Sequence, residues 1–373
     1  MQPEPITTPA DLALDSLCAQ LADASSRLRG AETWPARQLE RCAAYDVFSW
    51  FVPAREGGQG WSEPDLVRGY LKLSKACLTT AFVITQRTAA CTRLVDSPNE
   101  PARRRWLADL AAGRAFATVA ISHLSTSRRH LARPVLAVRE TADGFVLEGY
   151  SPWVTGGRSA DLLVVGAVDS QGLQSLYAVP RDAPGLVVAP PYDLVALAAS
   201  QTGQVEFRKV EVPREALLAG PTEQVLKTGR STGTGGLQTS TLAVGLSDAA
   251  LEYLEREAQR RAELGDAAAA LRAEWTVVRD DLLAIADHTI PDRDSADRSS
   301  TVRCTSEQLR ARANSLVLRA TQTALAAAKG TGFVSGHPAG RWCREALFFL
   351  VWSCPQVVLA SNLCEWAGLE ETE

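Results

Sequence analysis

The residues best suited to acid–base, metal or thiol chemistry are few in this sequence and widely spaced. The four histidines, at positions 123, 130, 288 and 337, form neither an H-E-x-x-H nor an H-x-x-E-H pattern, which would place two metal ligands on one helix face. The eight cysteines include no C-x-x-C pair, the spacing typical of zinc ribbons and redox dithiols. We therefore predict no metal site, and we expect the cysteines to be small buried apolar residues.

Charge and composition argue against two classes of partner. The 373 residues carry 39 Lys+Arg and 43 Asp+Glu, a formal net charge of −4, so a basic face for nucleic acid is not expected. The longest uncharged apolar stretch, Ala346 to Ala360, is too short to span a membrane and contains Pro355. The first residues, Met1 to Pro5, lack the basic and apolar regions of a secretion signal, so we expect a cytoplasmic protein.

The elements that position these side chains are, in the first third of the sequence, predicted helices. Apolar residues recur at helical spacing in four stretches of the first third, Asp11 to Leu28, Trp34 to Phe51, Glu63 to Thr92 and Glu100 to Ala112. The segment from Val52 to Trp61 contains a proline and three glycines, which predict a loop.

The pattern changes near residue 116 to short runs of Val, Ile, Leu and aromatic residues divided by Gly, Pro, Asp and Ser. The predicted strands are Phe116 to Ser122, Val135 to Glu140, Gly144 to Tyr150, Asp161 to Val168, Ser175 to Val179, Leu186 to Val188 and Gln204 to Val212. Seven such runs with no helical pattern between them predict an antiparallel sandwich or barrel.

Helical spacing returns in the last third. The predicted helices are Thr239 to Arg261, Ala267 to Asp287, Ser306 to Lys329 and Gly340 to Trp366. Four long helices joined by polar or glycine-rich connections predict a bundle. The expected domains are a helical domain at 1–115, a β-domain at 116–225 and a helical bundle at 226–373.

Several motifs in this order resemble those of the acyl-CoA dehydrogenase family. Val52 to Gly60 is similar to the family's "vPeeyGGqG" loop, and Ala120 to Leu124 to its "A-L-T-E-P" segment. The strongest match is Gly144 to Asp161, which is similar to "G-y-v-l-n-G-x-K-x-W-I-T-N-g-x-x-A-D". Three later segments match "R-x-x-F-G", "G-x-G-Y" and "R-x-x-R-D-A", namely Arg261 to Gly265, Gly330 to Phe333 and Arg341 to Ala346. The resemblance implies an α+β fold with N-terminal helices, a middle β-sandwich or barrel and a C-terminal four-helix bundle.

The resemblance also implies an FAD cofactor, with FMN or no cofactor as alternatives. A flavin needs an apolar wall against one ring face and hydroxyl or N–H donors at the edge where charge accumulates. Trp153, Val154 and Thr155 can supply these groups at one strand end, and Ser122 with the backbone of Ile121 at another. The simpler alternative is that Trp153 is a core aromatic and Thr155 a turn residue.

In the family a second subunit holds part of the adenosine pyrophosphate, which implies a homodimer or homotetramer here. Arg261 and Gly330 stand at positions of the two pyrophosphate motifs, and Arg261 can form a charge-assisted bond to phosphate. Lys329 replaces the first glycine of the second motif, so a cation stands where the family brings its backbone close to the ligand.

The departure from the family lies at the catalytic base. Its members remove an α-proton with a glutamate seven residues after the "R-D-A" motif, and Ser353 stands at that position. Other members place the glutamate on the first bundle helix, where this chain has Gly235, followed by Gly236 in place of an arginine. A serine without an adjacent base cannot remove a carbon-bound proton.

His123 is the candidate replacement, because histidine titrates near neutral pH and this one follows the flavin-contact residue Ser122. The alternative is that His123 only bonds to a loop. The segment after it also departs from the family, whose "G-A-G-S-D" loop is replaced, so Ser125, Ser127 and Arg128 are candidate substrate contacts.

Three functions remain open. The first is a flavin-dependent oxidoreductase acting on an acyl thioester of CoA or a carrier protein, with an electron-transfer flavoprotein or O2 as electron acceptor. The second is a flavin-dependent monooxygenase of the same fold, which needs no α-base. The third is a non-catalytic subunit that keeps only the bundle interface.

Overall fold

The computed structural model describes residues 3–125, 134–229, 237–288 and 304–369. Their contacts divide the chain into two compact units, each assembled from three stretches. The sheet unit comprises Met1–Thr7, Leu28–Trp61 and Phe82–Thr234, and the bundle unit comprises Thr8–Arg27, Ser62–Ala81 and Gly235–Glu373. The domain boundaries near residues 115 and 225 mark changes between helix and strand, and they remain a prediction.

Helices form the first and last thirds of the described chain. They are α1 (Leu12–Ser25), α2 (Ala36–Ala44), α3 (Glu63–Ala76), α4 (Leu78–Asp96), α5 (Glu100–Ala111), α6 (Ser122–Ser125), α7 (Leu237–Ala258), α8 (Gly265–His288), α9 (Ser306–Ala328), α10 (Pro338–Ala346) and α11 (Gln356–Ala367).

Strands fill the middle third. They are β1 (Ala117–Ala120), β2 (Leu136–Glu140), β3 (Gly144–Val154), β4 (Leu162–Val168), β5 (Gln174–Pro180), β6 (Leu186–Pro191), β7 (Gly203–Pro213) and β8 (Leu217–Thr222). They pair in the order β6-β7-β3-β2-β4-β5-β8, with β1 beside β4. Most pairs are antiparallel, as predicted, but β1 and β2 both run parallel to β4.

Strand β4 is buried on both of its faces. Leu162 and Val164 point into a core shared with α4 and α5, whereas Leu163 and Val165 point into a second core built almost entirely from strand residues. A strand buried on both faces has a continuous apolar sequence instead of an alternating one, which explains the run Leu-Leu-Val-Val at its start.

The bundle unit is built around α7, which packs against α3, α8 and α9. A Cβ atom on Gly245 of α7 would lie 2.6 Å from the carbonyl oxygen of Leu71, so the close approach of α3 requires glycine there. α9 begins with a capping box: Thr305 accepts the amide of Gln308 at 3.2 Å, and Gln308 accepts the amide of Thr305 at 2.9 Å.

Several elements differ from their predictions. The helical stretches predicted at Trp34 to Phe51 and Glu63 to Thr92 are each divided, the first into α2 and a short 3-10 helix and the second into α3 and α4. The predicted helix from Gly340 to Trp366 is interrupted, because a turn at residues 351–355 separates α10 and its short 3-10 extension from α11. The strand predicted to reach Ser122 ends at Ala120, and β8 was not predicted. No helix of the described residues is long and apolar enough to cross a membrane.

The predicted burial of the cysteines is correct for only some of them. All are free thiols; Cys42, Cys77 and Cys91 are buried, whereas the other five are partly exposed.

Candidate active site

The residues expected to contact a flavin ring lie at the ends of two strands of the sheet unit, β1 and β3, which do not pair but end close to each other. β1 ends at Ala120 and β3 at Val154, and the hydroxyl of Thr118 on β1 donates to the carbonyl oxygen of Thr155 at 2.8 Å. The single turn α6 begins at Ser122 and lies against β3. The structure therefore brings the Ile121–Ser122 and Trp153–Thr155 segments together.

Trp153 presents an open aromatic surface at the end of β3. It is 48% exposed, whereas its neighbours Pro152 and Val154 are buried. The ring of Tyr192 packs beside it with 4.9 Å between ring centroids, and the Tyr192 hydroxyl donates to the Pro152 carbonyl at 3.0 Å. Trp153 is thus not a core aromatic, and its exposed face can stack against a planar ring.

Thr155 is buried, and its hydroxyl already has a partner. Its Oγ1 lies 2.8 Å from Oγ1 of Thr202, which lies 2.8 Å from Oγ of Ser200. This row of three hydroxyls ties the end of β3 to the segment that precedes β7. Val154 is buried as well and pairs with Gly203 of β7, so of these three residues only Trp153 has an exposed side chain.

Gly156 fixes the direction in which the chain leaves the strand. Its φ is 64°, and a Cβ atom there would lie 2.4 Å from the ring of Trp34, which packs edge-on against Phe116. Its amide donates to the carbonyl of Ser200 at 3.0 Å. A side chain at position 156 is excluded by both backbone conformation and space.

His123 lies on α6 with its imidazole buried at 5% exposure. Its Nε2 is 2.8 Å from the carbonyl oxygen of Gly166, so the neutral ring donates from Nε2, and Nδ1 has no partner among the described residues. Burial lowers the pKa of His123 to about 4, although the Gly166 bond opposes the shift. At neutral pH the ring is therefore uncharged.

Some predicted residues cannot be placed. Ser127, Arg128, Gly235 and Gly236 lie outside the described residues, and so does the side chain of Ser125 at the end of α6. Among the residues that the structure does describe, no group of three or more His, Cys, Asp or Glu side chains could hold a metal ion.

The predicted pyrophosphate residues of the bundle unit lie near one another. Nη2 of Arg261 donates to the carbonyl of Ala327 at 2.6 Å, just before Gly330, and pairs with Glu257 at 2.7 Å. Gly330 has open space where a Cβ atom would be. Lys329 is exposed and has a φ of 52°, which is uncommon for any residue except glycine. The backbone conformation that suits glycine is therefore kept here by a lysine.

Ser353 lies in the turn between the short 3-10 helix Leu347–Leu350 and α11. Its φ of 45° is positive, and its side chain is partly exposed. Its hydroxyl has no hydrogen-bond partner among the described residues.

Comparisons with known proteins give a consistent result, although no family model matches the chain. A probable acyl-CoA dehydrogenase of Bacillus subtilis is 26% identical over 59% of this chain and 60% of its own length. The short-chain specific acyl-CoA dehydrogenase of Bos taurus is 23% identical over 84% of this chain and 78% of its own. The chain thus spans less than two thirds of the first of these relatives.

Solved structures extend the similarity to nearly the whole chain. Butyryl-CoA dehydrogenase from Megasphaera elsdenii has a TM-score of 0.78 at 15% identity, covering 95% of this chain and 97% of that one. The chain has the acyl-CoA dehydrogenase fold. A nitrososynthase from Micromonospora carbonacea var. africana shares this fold, with a TM-score of 0.78, 21% identity and 98% coverage of both chains. The predicted fold and the resemblance to acyl-CoA dehydrogenases are therefore confirmed.

Several buried ionisable residues of this fold are not singled out by the sequence, among them Glu345 and Arg310. Glu345 on α10 is 4% exposed, and burial raises its pKa to about 6, although Arg341, Arg344 and Thr79 oppose the shift. Arg310 on α9 is 3% exposed. Arg310 follows the buried Leu309 by one residue and precedes the buried Ala313 by three, so it lies on the apolar face of α9. This helical periodicity is the feature of the sequence from which its burial could be predicted.

Proposed function

We propose that this chain is an FAD-dependent oxidoreductase that acts on an acyl thioester. The observation that carries the proposal is the exposed side chain of Trp153, which lies beside Tyr192 and between the buried residues Pro152 and Val154 at the end of β3. An exposed tryptophan in such a setting indicates a binding surface for an apolar planar group. The acyl-CoA dehydrogenases to which the chain is similar in sequence and fold support the choice of substrate class.

The described residues fit a flavin. Trp153 would form the wall of the ring site, and the backbones of Ile121, Val154 and Thr155 with the side chain of Ser122 would lie at its edge. Arg261, Lys329 and Gly330 would meet the pyrophosphate, with Gly330 leaving room and the two cations supplying charge. Bound FAD would supply a two-electron acceptor. Because the family completes this site with a second subunit, we propose a homodimer or homotetramer.

The chain's own proton chemistry has two candidate residues. Ser353, proposed to stand where relatives have their glutamate, is uncharged, and no base of the described residues is hydrogen-bonded to it, so it would orient substrate instead of accepting a proton. His123 is the proposed base, because its neutral ring leaves Nδ1 without a partner in the described structure. Ser125, Ser127 and Arg128 remain proposed substrate contacts.

A carrier-protein thioester is an equal candidate for the substrate. The proposed loss of the arginine at Gly236 removes a group that would hold CoA near its thioester. One structural neighbour is a prolyl acyl carrier protein oxidase, with a TM-score of 0.76, 16% identity and coverage of 96% of this chain and 100% of that one. This supports testing carrier-bound as well as CoA-bound acyl groups.

A flavin-dependent monooxygenase is the second candidate function. Two observations support it. Residue 353, proposed to stand at the glutamate position of relatives, is a serine, and a nitrososynthase is among the structural neighbours. Oxygen-dependent flavin chemistry requires no α-proton abstraction, so an empty base position is compatible with it.

The test begins with the visible spectrum of the purified protein and the flavin content of its denatured supernatant. The protein is then mixed anaerobically with acyl-CoA and acyl-carrier candidates. Bleaching of the oxidised-flavin band supports thioester dehydrogenation, whereas no bleaching but O2 consumption after chemical reduction supports the monooxygenase. A colourless protein with no extractable flavin, also after incubation with FAD, contradicts both and supports the non-catalytic subunit.

Two variants then locate the proton chemistry. Ser353→Glu should raise the rate of flavin bleaching by thioesters if residue 353 faces the substrate, and an unchanged rate would contradict that placement. His123→Ala should abolish turnover if His123 is the base. Turnover at the wild-type rate would show that His123 only bonds to Gly166.

A further inference from the structure

Arg310 is a buried cation whose partners are backbone carbonyls. Its Nη2 donates to the carbonyl oxygens of Phe349 at 3.3 Å and Trp352 at 3.0 Å. Nε and Nη1 have no partner among the described residues. Buried arginines are normally paired with carboxylates, and no ion pair of the described structure includes this one.

The carbonyl of Phe349 lies in the last turn of a helical segment, and that of Trp352 lies two residues beyond its end. The 3-10 helix Leu347–Leu350 continues α10 and stops before Val351. Carbonyl groups at a helix C-terminus lack intrahelical donors and carry partial negative charge, which a cation can compensate. Arg310 supplies this compensation from α9, across the interior of the bundle unit.

The bonded segment leads directly into Ser353. Trp352, whose carbonyl accepts from Arg310, also stacks on Phe348 with 5.0 Å between ring centroids. The next residue has a φ of 45°, which is uncommon for a serine and persists only where surrounding contacts hold it. Arg310 provides a polar contact that reaches this turn from another helix.

We propose that Arg310 is a positioning residue that holds the 351–355 turn and thereby sets the direction of the side chain at position 353. The effect on substrate rests on the proposed function, whereas the effect on the turn does not. Because the carbonyls are bonded through Nη2 alone, a lysine ammonium can take over both bonds. Lysine also removes the two donors that lack partners.

The test compares Arg310→Met with Arg310→Lys by hydrogen exchange of backbone amides, followed by mass spectrometry of peptides that cover residues 347–356. Arg310→Met should speed exchange in this segment at least about tenfold, because the substitution removes both hydrogen bonds and loss of one charge-assisted bond is worth about that factor. Arg310→Lys should restore the wild-type rate. Arg312→Met is the matched control, because Arg312 lies on the same helix but pairs with Asp281 at 2.6 Å. If Arg310→Met does not fold, Arg310→Gln replaces it.

The proposal is overturned if exchange in residues 347–356 is unchanged in Arg310→Met, or if Arg310→Lys behaves like Arg310→Met. On a holoenzyme that turns over a thioester, Arg310→Met should lower kcat about tenfold with KM unchanged, and Arg310→Lys should recover kcat. If wild-type protein bleaches with no thioester, the proposed function fails, but the exchange comparison still decides whether Arg310 holds the turn.

Discussion

At residue 123, burial and one hydrogen bond determine the protonation state of the imidazole. The folded protein keeps His123 neutral, with a pKa of about 4 against an ordinary value of 6.5. The sequence indicates a histidine beside a predicted binding surface, but it cannot show burial, because burial depends on how α6 packs against the sheet. The acid–base role therefore remains a prediction, and the pH dependence of stability follows from the structure alone.

We expect His123 to make the fold sensitive to acid. The His123 imidazole is protonated below about pH 6.5 in the unfolded chain but only below about pH 4 in the folded chain. The free energy of unfolding therefore decreases as the pH falls between these values. The loss amounts to about 3 kcal/mol. Between pH 7.5 and pH 4.5 the free energy of unfolding in urea should fall by about 2–3 kcal/mol less in His123→Gln than in wild type. An identical loss in both proteins would show that His123 is not buried neutral.

Glu345 should have the opposite dependence. Its pKa of about 6 lies above the ordinary 4.5, so the folded state favours the protonated form and stability is lost as the pH rises from 4.5 to 6. The loss is about 2 kcal/mol. Glutamine does not ionise, so it avoids this loss. The free energy of unfolding of Glu345→Gln minus that of wild type should therefore be about 2 kcal/mol larger at pH 7.5 than at pH 4. A difference that does not vary with pH would contradict the assignment.

At the scale of elements, the two glycines that follow β3 have different roles despite being adjacent. Gly156 has a positive φ and no space for a Cβ atom, whereas a Cβ atom on Gly157 would meet nothing closer than 3.4 Å. The sequence shows two identical residues after a tryptophan motif. The difference arises from Trp34, which comes from a distant part of the sheet unit.

Gly156→Ala should therefore destabilise the protein by about 1–3 kcal/mol, through backbone strain and overlap with Trp34. Gly157→Ala, the matched control, should change stability by less. Thermal unfolding of both variants measures this difference. Equal effects would mean that the turn relaxes easily. Because the same turn fixes Trp153, Gly156→Ala should also reduce the flavin that copurifies.

Local pattern predicts most elements, and two of its failures occur where Pro or Gly lies inside or beside regular structure. β8 contains Gly220 and Pro221, which disfavour strands in general, yet pairing with β5 at the sheet edge tolerates them. The helix predicted from Gly340 was interrupted before Pro355, a residue that disfavours helix in the position before it. At the site, the sequence predicted which segments meet, but not that Thr155 is buried or that Arg310 reaches the Ser353 turn.

At the scale of the whole molecule, α11 is the helix that we expect to contact a second subunit in the proposed homo-oligomer. Val357, Leu363 and Trp366 of this helix are 70%, 52% and 43% exposed. Exposed apolar side chains on one short helix are typical of a protein–protein contact. We expect Leu363→Glu to shift the protein towards monomer in sedimentation velocity, whereas Leu12→Glu, at an exposed leucine of α1, should not. A wild-type protein that sediments as a monomer would contradict the proposed oligomer.

The division of each unit among three stretches of chain has a consequence for biosynthesis. Neither the sheet unit nor the bundle unit exists as one uninterrupted peptide, so neither can be cut from the gene as a single fragment. On the ribosome, α1 is made roughly 200 residues before α7, the central helix of its unit, and such long sequence separation slows folding and leaves early segments exposed. Nascent chains of this protein should therefore depend on chaperone protection until the last third has emerged.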